Sequence, residues 1–184
     1  LVPAAYRERL RQAVIDNRQT LVVPTFGLDA GVVDAIVDKL TAFLRRHARA
    51  FDERLQRKLI VEGHGDLRPE HVCLAAEPVF IDCLEFNREL RIVDPADELG
   101  YLAMESELLG AACIGDVVFE TYAAVTGDIP DTALVRFYQA QRALLRARLA
   151  VGHLEDGVTN STRAKWLTRA HAYLSLAERY TSSL

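Results

Sequence analysis

Lysine is nearly missing from this chain. Of its 22 basic residues only Lys39, Lys58 and Lys165 are lysine, and the other 19 are arginine. Cysteine is scarce too, at three widely spaced positions, Cys73, Cys83 and Cys113. An odd count without a C-x-x-C pair excludes a disulfide framework and a structural zinc site. The three are expected to be reduced core thiols of a cytoplasmic protein. No apolar run approaches the roughly 18–20 residues that span a bilayer. Arg7, Arg9, Arg11 and Arg18 leave no room for a signal-peptide pattern, so no membrane partner is expected. An excess of positive charge is also lacking. The net charge of -4 argues against a protein built mainly to grip nucleic acid, and none is expected as a partner. Internal repeats and low-complexity linkers are absent. The first residue is Leu1, not Met, and the chain is expected to be a piece of something longer.

What is present is a globular composition: 184 residues, 50% hydrophobic and 26% charged, enough to bury a real core. Tyr6, Leu10 and Val14 recur at i, i+4, i+8 and predict a helix over 4–19. Pro24 and Gly27 break it. Asp29 then suits the N-cap of a second helix, expected to run to about residue 57, with Val33, Ile36, Val37, Leu40 and Leu44 on one face and His47 near its middle. The texture changes at Lys58. Short β-prone stretches at 58–62, 72–74, 79–84 and 90–93 lie too close together for crossover helices and read as small hairpins. Helices are expected again at 95–109, 111–126, 131–154 and 162–182. Gly127-Asp128-Ile129-Pro130 marks a turn, Asp131 the next N-cap, and 155–162 a loop. The fold class is therefore mainly α with a small β island (α+β): helices over 1–57, the island and its loops over 58–98, and a helical subdomain over 99–184.

The chemically loaded residues fall inside the island. Gly63-His64-Gly65-Asp66-Leu67-Arg68-Pro69-Glu70-His71 is followed eleven residues later by Asp82, at the end of an apolar stretch, and then by Glu85. Phosphoryl transfer needs a carboxylate to orient the acceptor hydroxyl and take its proton, and hard oxygen ligands for Mg²⁺. A loop carboxylate and a second one beyond a hairpin can supply both.

HGDLRPEH resembles the catalytic loop HGDxxxxN of the aminoglycoside phosphotransferase-like kinases, relatives of the protein kinases. IDCLEFN resembles their metal-binding strand end, and Asp94-Pro95-Ala96-Asp97-Glu98-Leu99 their D-P-x-x-D-L stretch. More narrowly, the three motifs are similar to those of a bacterial group of uncharacterised proteins in that family, some fused to a P-loop ATPase domain. The resemblance is strong over about 60–105. It implies a protein-kinase-like C-terminal lobe and an ATP-dependent phosphotransferase acting on a small-molecule hydroxyl, with ATP and Mg²⁺ as cofactors and a nucleotide and a small-molecule acceptor as partners. Asp66 would be the catalytic base or hydroxyl-orienting carboxylate, and Asp82 a metal ligand. His64 would brace the loop by hydrogen bonding. Asp97 would cap a helix and tie the loop down. At His71 the family usually carries a metal-binding Asn. An imidazole there as second metal contact would favour softer metals such as Mn²⁺.

Each residue also has a plainer reading. Asp66 can close an Asx-turn. Asp82, in an otherwise apolar strand where an unpaired carboxylate is costly, can pair with Arg91, and Arg68 either contacts substrate or phosphate or pairs with Glu70. Glu85 either assists the metal or caps backbone amides, and His71 can be a hydrogen-bonded turn residue. Asp94 and Asp97 suit helix capping. His47, His153 and His171 lie on predicted helices without ligand-like partners. The arginines of 136–148 read as a solvated face. Two other functions bear on these residues. The clustered His and Asp of a metal-dependent phosphoesterase are not found at the usual spacings. An inactive kinase-like module that binds a nucleotide or a protein partner stays open, because no Gly-rich phosphate-covering hairpin is present and no lysine sits in a suitable strand. The N-terminal lobe is accordingly expected to be absent. The chain taken alone should be nearly inactive, with its acidic loop open to solvent and an exposed apolar floor that favours self-association.

Overall fold

The computed structural model describes residues 2–154 and 159–184. Its helices are α1 (Pro3–Leu21), α2 (Ala30–Arg46), α3 (Ala48–Gln56), α4 (Pro95–Leu108), α5 (Cys113–Thr126), α6 (Thr132–Gly152) and α7 (Asn160–Thr181). Its strands are β1 (Val61–Glu62), β2 (Val72–Cys73), β3 (Val79–Phe80) and β4 (Ile92–Val93), two residues each. The fold is thus mainly α with a small antiparallel β island. None of the described helices is long and apolar enough to cross a membrane. The predicted loop at 155–162 lies partly outside the described residues, and α7 begins inside it, at Asn160 behind the Thr159 cap.

The chain divides into two compact units, Leu1–Asp52 with Gln139–Leu184, and Glu53–Tyr138. The first is built on helix faces. Tyr6, Leu10, Val14 and Leu21 of α1 are buried, as are Val33, Ile36, Val37, Leu40, Phe43 and Leu44 of α2. Ala143 and Ala147 of α6 and Tyr173, Leu174, Ala177 and Tyr180 of α7 complete the core. Burying each large apolar side chain contributes about 1.5–3 kcal/mol. Asp29 caps α2, accepting from the Gly31 and Val32 amides at 2.8 and 3.2 Å.

The long second helix is instead two. The helix ends at His47, whose amide still bonds to the Phe43 carbonyl, and α3 starts at Ala48. Neither glycine nor proline marks the break, so periodicity ran straight through it. The His47 ring stacks on Phe43, with centroids 4.2 Å apart, and Phe51 meets Phe43 edge-on.

In the second unit the strands are shorter than their apolar stretches. Lys58–Ile60 does not belong to β1, because it closes α3. Lys58 takes φ +58°, its amide bonds to the Leu55 carbonyl, and the Leu59 amide reaches back to the Arg54 carbonyl. That is the Schellman pattern, with lysine where glycine is usual. Residues 88–91 form a 3₁₀ turn, leaving Ile92–Val93 as the strand. Leu74 and Ile81–Leu84 also lie outside the strands. β2 and β3 form the expected hairpin, Val72 facing Phe80, whereas β1 pairs with the distant β4, Val61 facing Val93. Asp131 caps α6, accepting from Ala133 and Leu134. The cysteines are free thiols but not core ones: Cys73 and Cys113 are exposed and Cys83 is half-buried.

Candidate functional site

The loop after β1 turns on two glycines. Gly63 leaves no room for a Cβ, which would collide with the Glu98 carboxylate and with Val93. Gly65 takes φ +85°, with the Leu90 carbonyl oxygen 3.0 Å from where a Cβ would stand. Glu98, on the first turns of α4, grips the resulting bend. Its carboxylate accepts from the Gly65 amide at 2.7 Å and from the His64 amide. Pro69 then opens a 3₁₀ turn over Pro69–His71 that leads into β2.

Asp66 emerges from this bend with its side chain 23% exposed. One carboxylate oxygen accepts from the Tyr101 hydroxyl at 3.0 Å, the other from Arg68 Nε at 3.0 Å. A carboxylate oxygen has two acceptor positions, so each can still receive a further donor. Arg68 does three things at once: it pairs with Asp66, it pairs with Glu70, and its Nη2 lies 3.1 Å from His71 Nε2.

The tautomer of His64 follows from its partners. An amide can only donate and a carbonyl only accept. His64 therefore accepts from the Asp66 amide at Nδ1 (3.3 Å) and donates from Nε2 to the Ile81 carbonyl (2.7 Å). His64 also takes the Leu84 amide on its own carbonyl, at 3.1 Å. A single residue thus holds the chain on both sides of Asp82. His71 is buried and stacks against His64. Its Nδ1 donates to the Asp66 carbonyl at 2.8 Å, and its Nε2 lies 3.1 Å from Arg68 Nη2.

Asp82 does not sit in an apolar strand. It follows β3 in the left-handed conformation, φ +60°, which costs a non-glycine residue about 1–2 kcal/mol. Its side chain is 77% exposed, so the burial penalty that suggested an ion pair does not arise. Arg91 binds Glu62 (2.6 Å) and the Leu84 carbonyl instead. Asp82 Oδ2 stands 3.3 Å from His71 Nε2. Asp66 and Asp82, sixteen residues apart in sequence, therefore flank one imidazole. Glu85 is exposed, and among the described residues its carboxylate has no partner. Around Asp82 the apolar side chains Phe80, Ile81 and Phe86 are open, Phe80 at 63% and Phe86 at 81%.

At the start of α4 an expected cap is in place. Asp94 is the cap, accepting from the Ala96 amide at 2.9 Å. Asp97 is buried on the first turn, and the carboxylate on the loop amides is that of Glu98. Glu98 and Tyr101 escaped the sequence reading. The available signal was spacing: Asp94, Glu98 and Tyr101 stand at i, i+4 and i+7, one face of a helix.

A donor set for a metal can be judged on these contacts. Among the described residues no group of three or more His, Cys, Asp or Glu side chains converges as a ready-made cage. Mg²⁺ commonly uses one or two carboxylates, completed by phosphate oxygens and water. An exposed acceptor-only carboxylate such as Asp82 fits that habit. His71 fits less well, since ligation at Nε2 would need Arg68 to turn away.

Comparison with known proteins adds relatives and no family. The chain is 35% identical over 127 residues to uncharacterised proteins of Mycobacterium bovis and of two strains of Mycobacterium tuberculosis. The aligned stretch is 68% of this chain and 26% of each relative, so the chain spans about a quarter of the length of the curated relatives it matches. No family model and no solved structure matches the chain.

Proposed function

We propose that this chain is the C-terminal lobe of a protein-kinase-like, ATP-dependent phosphotransferase acting on a small-molecule hydroxyl. The observation that carries the reading is the meeting of Asp66 and Asp82 around His71, with Asp82 Oδ2 at 3.3 Å from one ring nitrogen and the Asp66 carbonyl at 2.8 Å from the other. The ordered resemblance of HGDLRPEH, IDCLEFN and DPADEL to the aminoglycoside phosphotransferase-like motifs supports it. Asp66, fixed by Tyr101 and Arg68, would accept the hydrogen bond of the acceptor hydroxyl and hold it in line. Asp82 would hold Mg²⁺, which when bound neutralises charge on the phosphates. Arg68 would bring a guanidinium to the same loop, and His64 would keep the two carboxylate-bearing segments in register.

One observation favours a second reading, an inactive module that binds a nucleotide or a protein partner. Both Asp66 oxygens and both His71 nitrogens already have protein partners.

ATP turnover by the protein carrying both lobes, with and without Mg²⁺ or Mn²⁺, separates the two. Asp66→Asn should lower metal-dependent turnover by about 10²–10⁴-fold while the circular dichroism stays unchanged. Asp82→Ala should abolish metal-dependent nucleotide binding. Undiminished turnover in Asp66→Asn would remove Asp66 from the chemistry, and absence of turnover in the parent would favour the inactive module.

A further inference from the structure

A buried ionic cluster of the second unit centres on Arg54. Arg54, on the last turns of α3, is buried between two buried carboxylates. Its Nε and Nη2 form a fork on Asp94, at 2.7 and 2.6 Å. Its Nη1 reaches both oxygens of Asp128, at 2.9 and 2.8 Å. Further groups close around the same two carboxylates. Tyr138 and the Ala96 amide donate to Asp94, Tyr122 donates to Asp128, and Arg57 Nη2 lies 3.2 Å from Asp128 Oδ1. Burial works against the arginine's charge, but the two carboxylates outweigh it and hold its pKa above the usual arginine value. A buried pair of this kind is weak evidence for stability, because desolvation consumes much of the Coulombic gain.

Its place in the chain suggests what it does. Arg54 precedes the α3 cap, and its own carbonyl receives the Leu59 amide, two residues before β1. β1 runs directly into Gly63-His64-Gly65. Asp94 follows β4, the partner of β1, and caps α4, and one turn further Glu98 holds the His64 and Gly65 amides. The Arg54–Asp94 fork therefore joins the chain entering the loop to the helix that grips the loop. Asp128 braces the same guanidinium from the turn after α5.

We infer that Arg54 is a positioning residue for the Asp66 loop: through Asp94 it sets the start of α4, and so the grip of Glu98 on the His64 and Gly65 amides. This rests on the proposed function only for what the loop is used for. The mechanical claim stands or falls separately.

Amide hydrogen exchange on this chain, read residue by residue, tests it. Glu98→Gln, which weakens the grip directly, sets the scale. Arg54→Lys keeps the charge but cannot form the planar double fork. It should speed exchange at His64 and Gly65 by about tenfold or more, while amides of α4 beyond Tyr101 and the hairpin amide of Ile81 keep their protection. An equal rise throughout residues 53–138 would mean a general loss of stability and would overturn the inference, as would unchanged protection at His64 and Gly65. Should Arg54→Lys not fold, Asp128→Asn decides. It leaves the Asp94 fork in place and should give a smaller rise confined to the same two amides, and no such rise overturns the inference. If the loop responds but the two-lobed protein turns over no ATP, the phosphotransferase reading fails and the positioning role remains.

Discussion

The two units reach order by different means. In the first, large side chains on helix faces leave water together: Tyr6, Ile36, Leu40, Phe43, Tyr173 and Tyr180 are all essentially inaccessible. In the second, burial of Tyr101, Met104, Phe137 and Tyr138 is joined by polar ordering. Arg54, Asp94, Asp128, Glu98 and His71 are buried, while Phe80, Ile81 and Phe86 are left open. Apolar burial is non-directional and tolerates approximate fit. Hydrogen-bonded carboxylates and guanidinium forks fix angles as well as distances. The lesson is that the unit whose interior is directional is the one that carries the candidate chemistry, where a loop must be held rather than merely covered.

Truncation of the apolar core should break this comparison most strongly. Phe43→Ala removes a buried ring that both His47 and Phe51 contact. It should cost about 3–5 kcal/mol of stability in urea denaturation. A loss under about 1 kcal/mol would mean that the first unit does not depend on close packing. Next comes Gly63→Ala, which puts a methyl group where the Glu98 carboxylate lies. Such overpacking should cost about 1–3 kcal/mol and weaken protection of the Gly65 amide. Wild-type stability with wild-type exchange would show that the grip can shift without loss.

A smaller effect belongs to the first unit's polar edge. Asp29→Ala removes the cap of α2 and should cost about 1 kcal/mol, visible as a lower urea midpoint. The smallest is a matter of pH. Hydrogen bonds from Arg91 and Arg88 hold the Glu62 carboxyl below its usual value of 4.5. A lowered folded-state pKa means that the ion pairs contribute at pH above the unfolded value and are lost as pH falls through the folded one. Glu62→Gln should therefore lower stability slightly at neutral pH and leave it unchanged well below pH 4.5, which flattens the acid limb of the profile; the loss is small because the site is exposed. A Glu62 titration midpoint at or above 4.5 by NMR would contradict this.

Much of the helical frame was legible in advance, for local reasons. Asp29 and Asp131 were readable as caps because capping is a matter of one side chain and the next two or three amides. The α1 and α2 core positions followed from i, i+4 spacing. The break at His47 was not readable, because neither glycine nor proline causes it. The strands came out longer in sequence than in space, because apolar character persists along 58–62 and 79–84 while pairing stops after two residues. Lys58 in a left-handed cap is the clearest case: nothing in its type announces a helix end. HGDLRPEH and IDCLEFN marked two segments that the structure brings together at His71. The role of Glu98 was not legible, since only the packed helix shows that its carboxylate reaches the loop amides.

Composition, helix periodicity, caps and the order of the acidic motifs were determined by the sequence alone, because each depends on neighbours a few residues away. The tertiary structure decided the rest. It paired β1 with a strand thirty residues distant, and it brought Asp66 and Asp82 to one imidazole. It also gave Arg54 two carboxylates, 40 and 74 residues away. These are contacts between groups whose separation along the chain carries no signal. They exist because buried polar atoms must find partners, and only the folded chain determines which partners are within reach.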